Sequence, residues 1–180
     1  MIVEVVNTGT ELLLGEIINT SFPYLSRNLN DAGFNVLYQT TVGDNEDRLL
    51  SILDIALKRA DIIITTGGLG PTRGDITKEM VAKYLHLPLE ESSMWMNKLG
   101  EYFKTKGTVM TENNKKQAMV PKGAIVFNNE VGTAPGIAGT HPGGSCAGDP
   151  ATRRRAWLSA SWRARLACYW TSGLSAASRS

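Results

Sequence analysis

The sequence is poor in the residues from which most thiol and metal chemistry is built. It holds two cysteines, Cys146 and Cys168, and two histidines, His86 and His141, in 180 residues. The cysteines stand 22 positions apart with no His or Cys companion, which excludes a zinc cluster and a redox CxxC pair. His86 lies between Leu85 and Leu87 and neither histidine has a nucleophile beside it, so neither is assigned a catalytic role. Ser21, Ser26 and Ser51 sit in no GxSxG elbow, which removes the serine-hydrolase class. No Gly-Lys-Ser/Thr of a Walker A loop and no GxGxxG dinucleotide fingerprint occurs. No apolar run approaches the ~20 residues a membrane span requires. Residues 1–11 carry no basic segment followed by an apolar one, so the expected location is cytoplasmic.

What is present reads as one ordinary globular domain, 42% apolar and 20% charged. The net charge of +2 conceals a break along the chain. Residues 1–140 sum to −3 and residues 141–180 to +5, so the basic excess belongs to the tail and a nucleic-acid partner is not expected. All nine lysines fall at or before Lys122, whereas six of ten arginines and three of four tryptophans follow residue 150. Two units are therefore expected: a domain over 1–138 and an atypical Arg-, Ala-, Ser- and Trp-rich tail over 139–180. The tail shows no periodic strand, and its composition is what GC-rich DNA yields in an arbitrary frame, so a frameshift or fused segment is its expected origin, disorder its expected state. The alternative is an amphipathic helix over 151–169, since Trp157, Leu158, Trp162, Leu166 and Tyr169 recur at helical spacing.

Over the first 138 residues, apolar patterning alternates between strand and helix. Residues 2–6 form a β-branched run ending at Asn7, Thr8 and Gly9, which predicts a buried central strand. Phe22, Leu25, Leu29 and Ala32 recur at helical steps and stop at Gly33. Strands are predicted at 35–42 and 61–66, separated by a helix that Asn45 caps and that Leu49, Ile52, Leu53, Ala56 and Leu57 stripe. Further helices are expected around Met80 to Leu85, Trp95 to Phe103 and residues 111–118, then a strand at 124–127 and a loop over 128–136. This order implies an α/β fold with a mostly parallel sheet covered on both faces, whose ligands sit at the carboxyl ends of the strands.

Two loops at such ends carry candidate chemistry. After the third strand comes Thr65-Thr66-Gly67-Gly68-Leu69-Gly70-Pro71-Thr72-Arg73-Gly74-Asp75. Glycines let the backbone approach an anion closely, and the following helix presents its positive end to phosphate; the same glycines would also serve a plain chain reversal. After the first strand, Thr8, Gly9, Thr10 and Glu11 offer two hydroxyls and a carboxylate, the latter either a ligand group or a solvated cap. Asp44 and Asp75 add carboxylates that a doubly wound fold would bring to the same rim, where three acids and a phosphate cradle would suit metal-assisted attack on a pyrophosphate.

Taken in order, TGTELLLGEIINT, QTTVGDN, TTGGLGPTRGDITKE, MTENNKKQAMVPKGA and NEVGTAPG resemble the amino-terminal domain of the CinA (competence/damage-inducible) family over residues 1–138. That family is similar in fold to the molybdopterin adenylyltransferases and molybdopterin-binding domains of the MoaB and MogA type. The resemblance implies a three-layer α/β/α sandwich and an ADP-ribose pyrophosphatase activity dependent on Mg²⁺ or Co²⁺, with molybdopterin as the alternative ligand. By the same resemblance Gly67, Gly68 and Gly70 match the anion-binding loop, and Asp75 matches the aspartate of both branches. Glu11 and Asp44 also match motif positions. The implied roles are Asp75 and Asp44 as catalytic residues, both with Glu11 as metal ligands, and Thr8, Gly9, Thr10, Glu11, Gly67, Gly68, Gly70 and Thr72 as substrate-binding residues. A small nucleotide or pterin partner is implied, and a dimer or trimer by analogy.

The chain departs from the pattern at Gly74, where the family usually has a second aspartate. After Gly136 the family continues into another strand and an LPGPP-type loop; here the tail stands instead, so the sheet is expected to be incomplete, with an exposed edge. The family's nicotinamide mononucleotide deamidase domain has no counterpart in these residues, and no amidase activity is assigned.

Overall fold

The computed structural model describes residues 1–129, 132–140 and 156–159. Three βα units come first: β1 (Ile2–Thr8), α1 (Thr10–Leu13), α2 (Ser21–Asp31), β2 (Asn35–Val42), α3 (Glu46–Arg59), β3 (Ile62–Thr66) and α4 (Thr77–Tyr84). Then follow β4 (Leu89–Glu91), α5 (Ser93–Thr105), α6 (Glu112–Lys115), a 3₁₀ turn (Lys116–Ala118), β5 (Met119–Pro121), β6 (Ile125–Phe127), β7 (Gly136–Thr140) and β8 (Ala156–Ser159). The main sheet has the order β2-β1-β3-β8-β7-β6, parallel from β2 through β8 and antiparallel on either side of β7. β4 and β5 pair separately as an antiparallel ribbon.

Side-chain alternation along the strands builds two cores. Val6, Ile63, Ile137 and Trp157 face α3 and α4, packing on Leu49, Leu53, Ala56, Met80 and Val81. Val3, Val5, Ile62, Ile64, Ala138 and Leu158 face α2 through Leu25. The result is the expected three-layer α/β/α arrangement, each strand contributing neighbours to opposite faces. α5 seals a third cluster of Trp95, Leu99 and Ala118. α3 begins where its cap predicts: Asn45 Oδ1 accepts the Arg48 amide at 3.1 Å, with Glu46 and Asp47 in the first turn and Lys58 and Arg59 in the last.

The tail departs from expectation. Ala156–Ser159 enters the sheet as β8, parallel to β3 and antiparallel to β7, with Trp157 4% and Leu158 1% exposed. The two apolar residues point to opposite faces, as in a strand, rather than sharing one helical face. Trp157 pairs in register with Gly139, where an ideal Cβ would stand 2.7 Å from the indole nitrogen, so the missing side chain is what admits the indole. The expectation that the tail shows no periodic strand thus fails at Ala156–Ser159, which pairs with β3 and β7. Four residues are too few for a period to be read, and their place depends on the β3 and β7 ladders. β7 likewise supplies the strand expected to be lost, ending the predicted 128–136 loop at Gly136. Trp162, Leu166 and Tyr169, both cysteines and His141 lie outside the described residues.

Candidate functional site

The loops after β1, β2 and β3 meet because these three strands are neighbours and run parallel. Asp44, just beyond β2, reaches across to the first turn of α1. Its Oδ2 accepts the Thr10 amide at 3.0 Å and the Thr10 hydroxyl at 2.9 Å, and Thr10 Oγ1 in turn accepts the Asp44 amide at 3.1 Å. Gly9 donates its amide to Val42 O at 3.0 Å, tying the same two loops through the backbone. Glu11 folds back over Gly9, so closely that a Cβ there would lie 2.4 Å from its Oε1.

The glycine loop closes against β1. Gly67 (φ 90°) and Gly68 (φ 61°) adopt the left-handed region that side chains disfavour. An ideal Cβ on Gly68 would stand 2.3 Å from Thr77 Oγ1 and 3.4 Å from Thr8 Cγ2, so both threonine side chains crowd the space a side chain would take. Thr77 opens α4, and its amide donates to Gly68 O at 3.1 Å. Thr8 and Thr77 are 2% and 0% exposed, yet neither hydroxyl has a hydrogen-bond partner among the described residues. A buried, unsatisfied Thr77 hydroxyl against a left-handed glycine pair at a helix N-terminus, with the unsatisfied Thr8 side chain beside it, is a polar arrangement suited to oxyanions.

Asp75 shapes the far side of the loop. Its Oδ2 accepts the Thr72 amide at 2.9 Å and the Thr72 hydroxyl at 2.5 Å, and the Gly70 amide also donates to the carboxylate. Gly70 must be small, since its Cβ would lie 2.7 Å from Asp75 Oδ2. Partial burial pushes the Asp75 carboxyl up, but the hydrogen bonds from Thr72 and Gly70, with the nearby Lys116 charge, outweigh burial and hold it below the ordinary aspartate value.

The expected residues therefore share one rim, while their carboxylates do not share one point. Asp44 ties the loop after β2 to the first turn of α1 while Asp75 closes its own loop, and among the described residues no group of three or more His, Cys, Asp or Glu side chains is placed to hold a metal ion. The position of Gly74 is nevertheless close to Asp44: an ideal Cβ there would be 4.0 Å from Asp44 Cβ, with open space around it.

Lysines beneath the loop were not singled out from sequence. Lys116 Nζ donates to Thr72 O at 3.2 Å and to Asp75 O, and Lys78 Nζ donates to Lys116 O. Lys78 is 5% exposed, and its ammonium is lowered to about 8, mainly by burial. The KKQA stretch gave no local sign of this, because its neighbours in space lie about forty residues earlier. A separate open cavity of about 360 Å³, lined among others by Lys98, Tyr102, Asn128 and Thr133, contains none of the expected site residues.

Comparison with known proteins identifies the family of the chain. Residues 4–153 match the family described as "Probable molybdopterin binding domain". A protein of Caldicellulosiruptor saccharolyticus, named as competence-damage inducible, is 53% identical over 137 residues, 76% of this chain and 33% of its own length. A CinA-like protein of Crocosphaera subtropica is 48% identical over 137 residues, 76% of this chain and 33% of that one. The chain thus spans about a third of the length of these curated relatives. Among solved structures, CinA of Thermoplasma acidophilum, described as of unknown function, superposes with a TM-score of 0.70 at 28% identity, covering 88% of this chain and 86% of that chain. The tungsten cofactor synthesizing protein MoaB of Pyrococcus furiosus shares the fold, with a TM-score of 0.53 at 23% identity over 88% and 79% of the two chains. The chain belongs to the molybdopterin-binding domain family, as a CinA-like member.

Proposed function

We propose that the rim formed by the loops after β1, β2 and β3 binds the diphosphate of a nucleotide, and that the ligand is ADP-ribose, hydrolysed by water at its P–O–P bond. The observation that carries this reading is the buried, unpartnered Thr77 hydroxyl facing Gly68 at the start of α4, with the Thr8 side chain, whose hydroxyl is also buried and unpartnered, beside it. Phosphate oxygens accept hydrogen bonds and carry the negative charge that a helix N-terminus favours. In this reading Gly67, Gly68 and Thr77 hold one phosphate. Gly70 and Thr72, whose amides the Asp75 carboxylate holds, border the other, Glu11 orients the ribose, and Asp75 and Asp44 align the attacking water.

A divalent cation fits such a site in a specific way. Mg²⁺ is commonly held by one or two carboxylates together with ligand phosphates rather than by an all-protein cage, and Asp44 and Asp75 supply two carboxylates at this rim. When bound, the cation would neutralise charge on the phosphates. A cytoplasmic location belongs to the same reading; among the described residues no helix is long and apolar enough to cross a membrane.

The test is ADP-ribose hydrolysis with Mg²⁺ or Co²⁺, comparing this chain with Asp75→Ala after both are shown to be folded. Turnover abolished in the variant supports the hydrolase reading. Folded protein that neither binds nor turns over ADP-ribose sinks it and leaves a non-catalytic domain. A pterin is the second reading, favoured by the description of the matched family; fluorescent pterin released on denaturing the purified protein would decide for it.

A further inference from the structure

The two lysines under the glycine loop make contacts that the nucleotide reading does not use. Lys116 sits at the junction of α6 and the 3₁₀ turn, an element fixed by burial: Gln117 is 2% and Ala118 0% exposed, and Gln117 Nε2 donates to Thr133 Oγ1 at 2.9 Å. From there its ammonium crosses to the loop and donates to the carbonyls of Thr72 and Asp75. These two residues are the ones whose side chains close the loop on itself, through the Thr72 amide and hydroxyl and the Asp75 carboxylate. The loop is thus fixed from inside by Asp75 and from outside by Lys116. Lys78, buried in the first turn of α4, holds the Lys116 carbonyl and completes a chain of contacts from the helix that bears Thr77 back to the loop.

Charge adds to the geometry. Glu79 Oε1 lies 3.8 Å from Lys78 Nζ and 3.7 Å from Lys116 Nζ, so one carboxylate stands between two ammonium groups. Two ammonium groups against one carboxylate leave the cluster with a net positive charge beneath the glycine loop.

We propose that Lys116 is a positioning residue for the glycine loop: by bridging the Thr72 and Asp75 carbonyls it holds the turn that Asp75 closes through the Gly70 and Thr72 amides, and with it the place of Gly67 and Gly68 beside Thr77, in the arrangement that borders a phosphate. The inference rests on the reading of the rim as a diphosphate site. Lys116 acts through the loop backbone rather than by touching the reacting atoms.

The experiment compares Lys116→Met, which keeps the aliphatic stem without donors, with Lys116→Arg, which keeps donors able to span two carbonyls. Two readouts are taken on the full chain: hydrogen exchange of the Thr72 amide without ligand, and ADP-ribose affinity by calorimetry in Mg²⁺. The expected result is faster exchange at Thr72 and about tenfold weaker affinity in Lys116→Met, as for loss of one charge-assisted hydrogen bond, with both largely retained in Lys116→Arg. Unchanged exchange and affinity in Lys116→Met overturn the proposal. So does a lowered melting temperature in that variant with the folded protein's exchange and affinity intact, since that is what a purely structural lysine would show. If the unsubstituted chain binds no ADP-ribose, the nucleotide reading has failed, and the exchange comparison alone still decides the role of Lys116.

Discussion

The α-carbon of Gly67 faces the carbonyl oxygen of Thr8 so closely that a side chain there would place its Cβ 2.0 Å from that oxygen. The contact joins the exits of β1 and β3. Gly67→Ala is expected to cost about 3 kcal/mol, through left-handed strain and forced separation of the two loops, and to abolish ligand binding. Gly15→Ala is the control, because Gly15 also has a positive φ (73°) but nothing within 4 Å of its Cβ. Strain alone should cost it ~1 kcal/mol. Equal losses in urea unfolding of the two variants would refute the packing argument.

Gly74 offers a gain rather than a loss. Its Cβ position is open, with Thr72 Oγ1 at 3.9 Å and Asp44 Cβ at 4.0 Å as the nearest atoms. Gly74→Asp should fold with stability changed by less than about 1 kcal/mol, as for other exposed sites, and should lower the Mg²⁺ concentration needed for half-maximal ADP-ribose binding. A Mg²⁺ requirement unmoved by the added carboxylate argues against a cation between the Asp44 and Asp75 loops.

Lys78 gives the domain a signature at alkaline pH. Its folded pKa, about 8, lies below the ordinary lysine value of 10.5, so between these values the unfolded chain binds more protons than the folded one. Stability contributed by this group therefore rises as pH increases from about 8 to 10.5, by ~3 kcal/mol at most. Lys78→Met should lack the rise, and denaturation midpoints of the two proteins measured at pH 7.5 and pH 10 would show it. Parallel pH curves would mean that Lys78 is not desolvated in the folded state.

Glu4 places a charge in the middle of β1, which the sheet order puts second from its edge rather than at the centre the sequence suggested. The carboxylate is 0% exposed and accepts Arg59 Nε at 2.8 Å, an Arg59 terminal nitrogen at 2.7 Å and the Thr40 hydroxyl at 2.7 Å. The Arg59 guanidinium also covers the Tyr38 ring at 4.3 Å. Arg59→Ala leaves that carboxylate buried without its counter-ion and should destabilise by about 3 kcal/mol. Replacing Glu4 and Arg59 together by Gln and Met should cost less than Arg59→Ala alone. A double variant at least as destabilised as the single one would show that the ion pair is not the source of the cost.

Trp157 tests the place of the tail in the sheet. Its indole is 4% exposed and packs in the same core as Ile63 and Ile137. Trp157→Ala is expected to cost 3–5 kcal/mol, the usual range for a buried tryptophan. A variant as stable as the parent chain would mean that residues 156–159 do not occupy the slot between β3 and β7.

Much of this protein was legible in its residues. The βαβαβα order, the exact span of β2 and the Asn45 cap follow from local chemistry: side-chain period, capping oxygens and glycine at the helix ends each act over a few residues. The glycine loop and its aspartate were legible for the same reason, since Gly67, Gly68, Gly70 and Asp75 build their turn within ten positions of one another. Other features required partners brought from far along the chain, and the three-dimensional fold alone decided them. Lys116 has meaning only beside Thr72 and Asp75, forty-four and forty-one residues earlier, and Glu4 only against Arg59, fifty-five residues later. β8 is the extreme case: Ala156–Ser159 has too few residues to declare a period, and becomes a strand because two ladders of backbone hydrogen bonds, from β3 and β7, stand unpaired on either side of it.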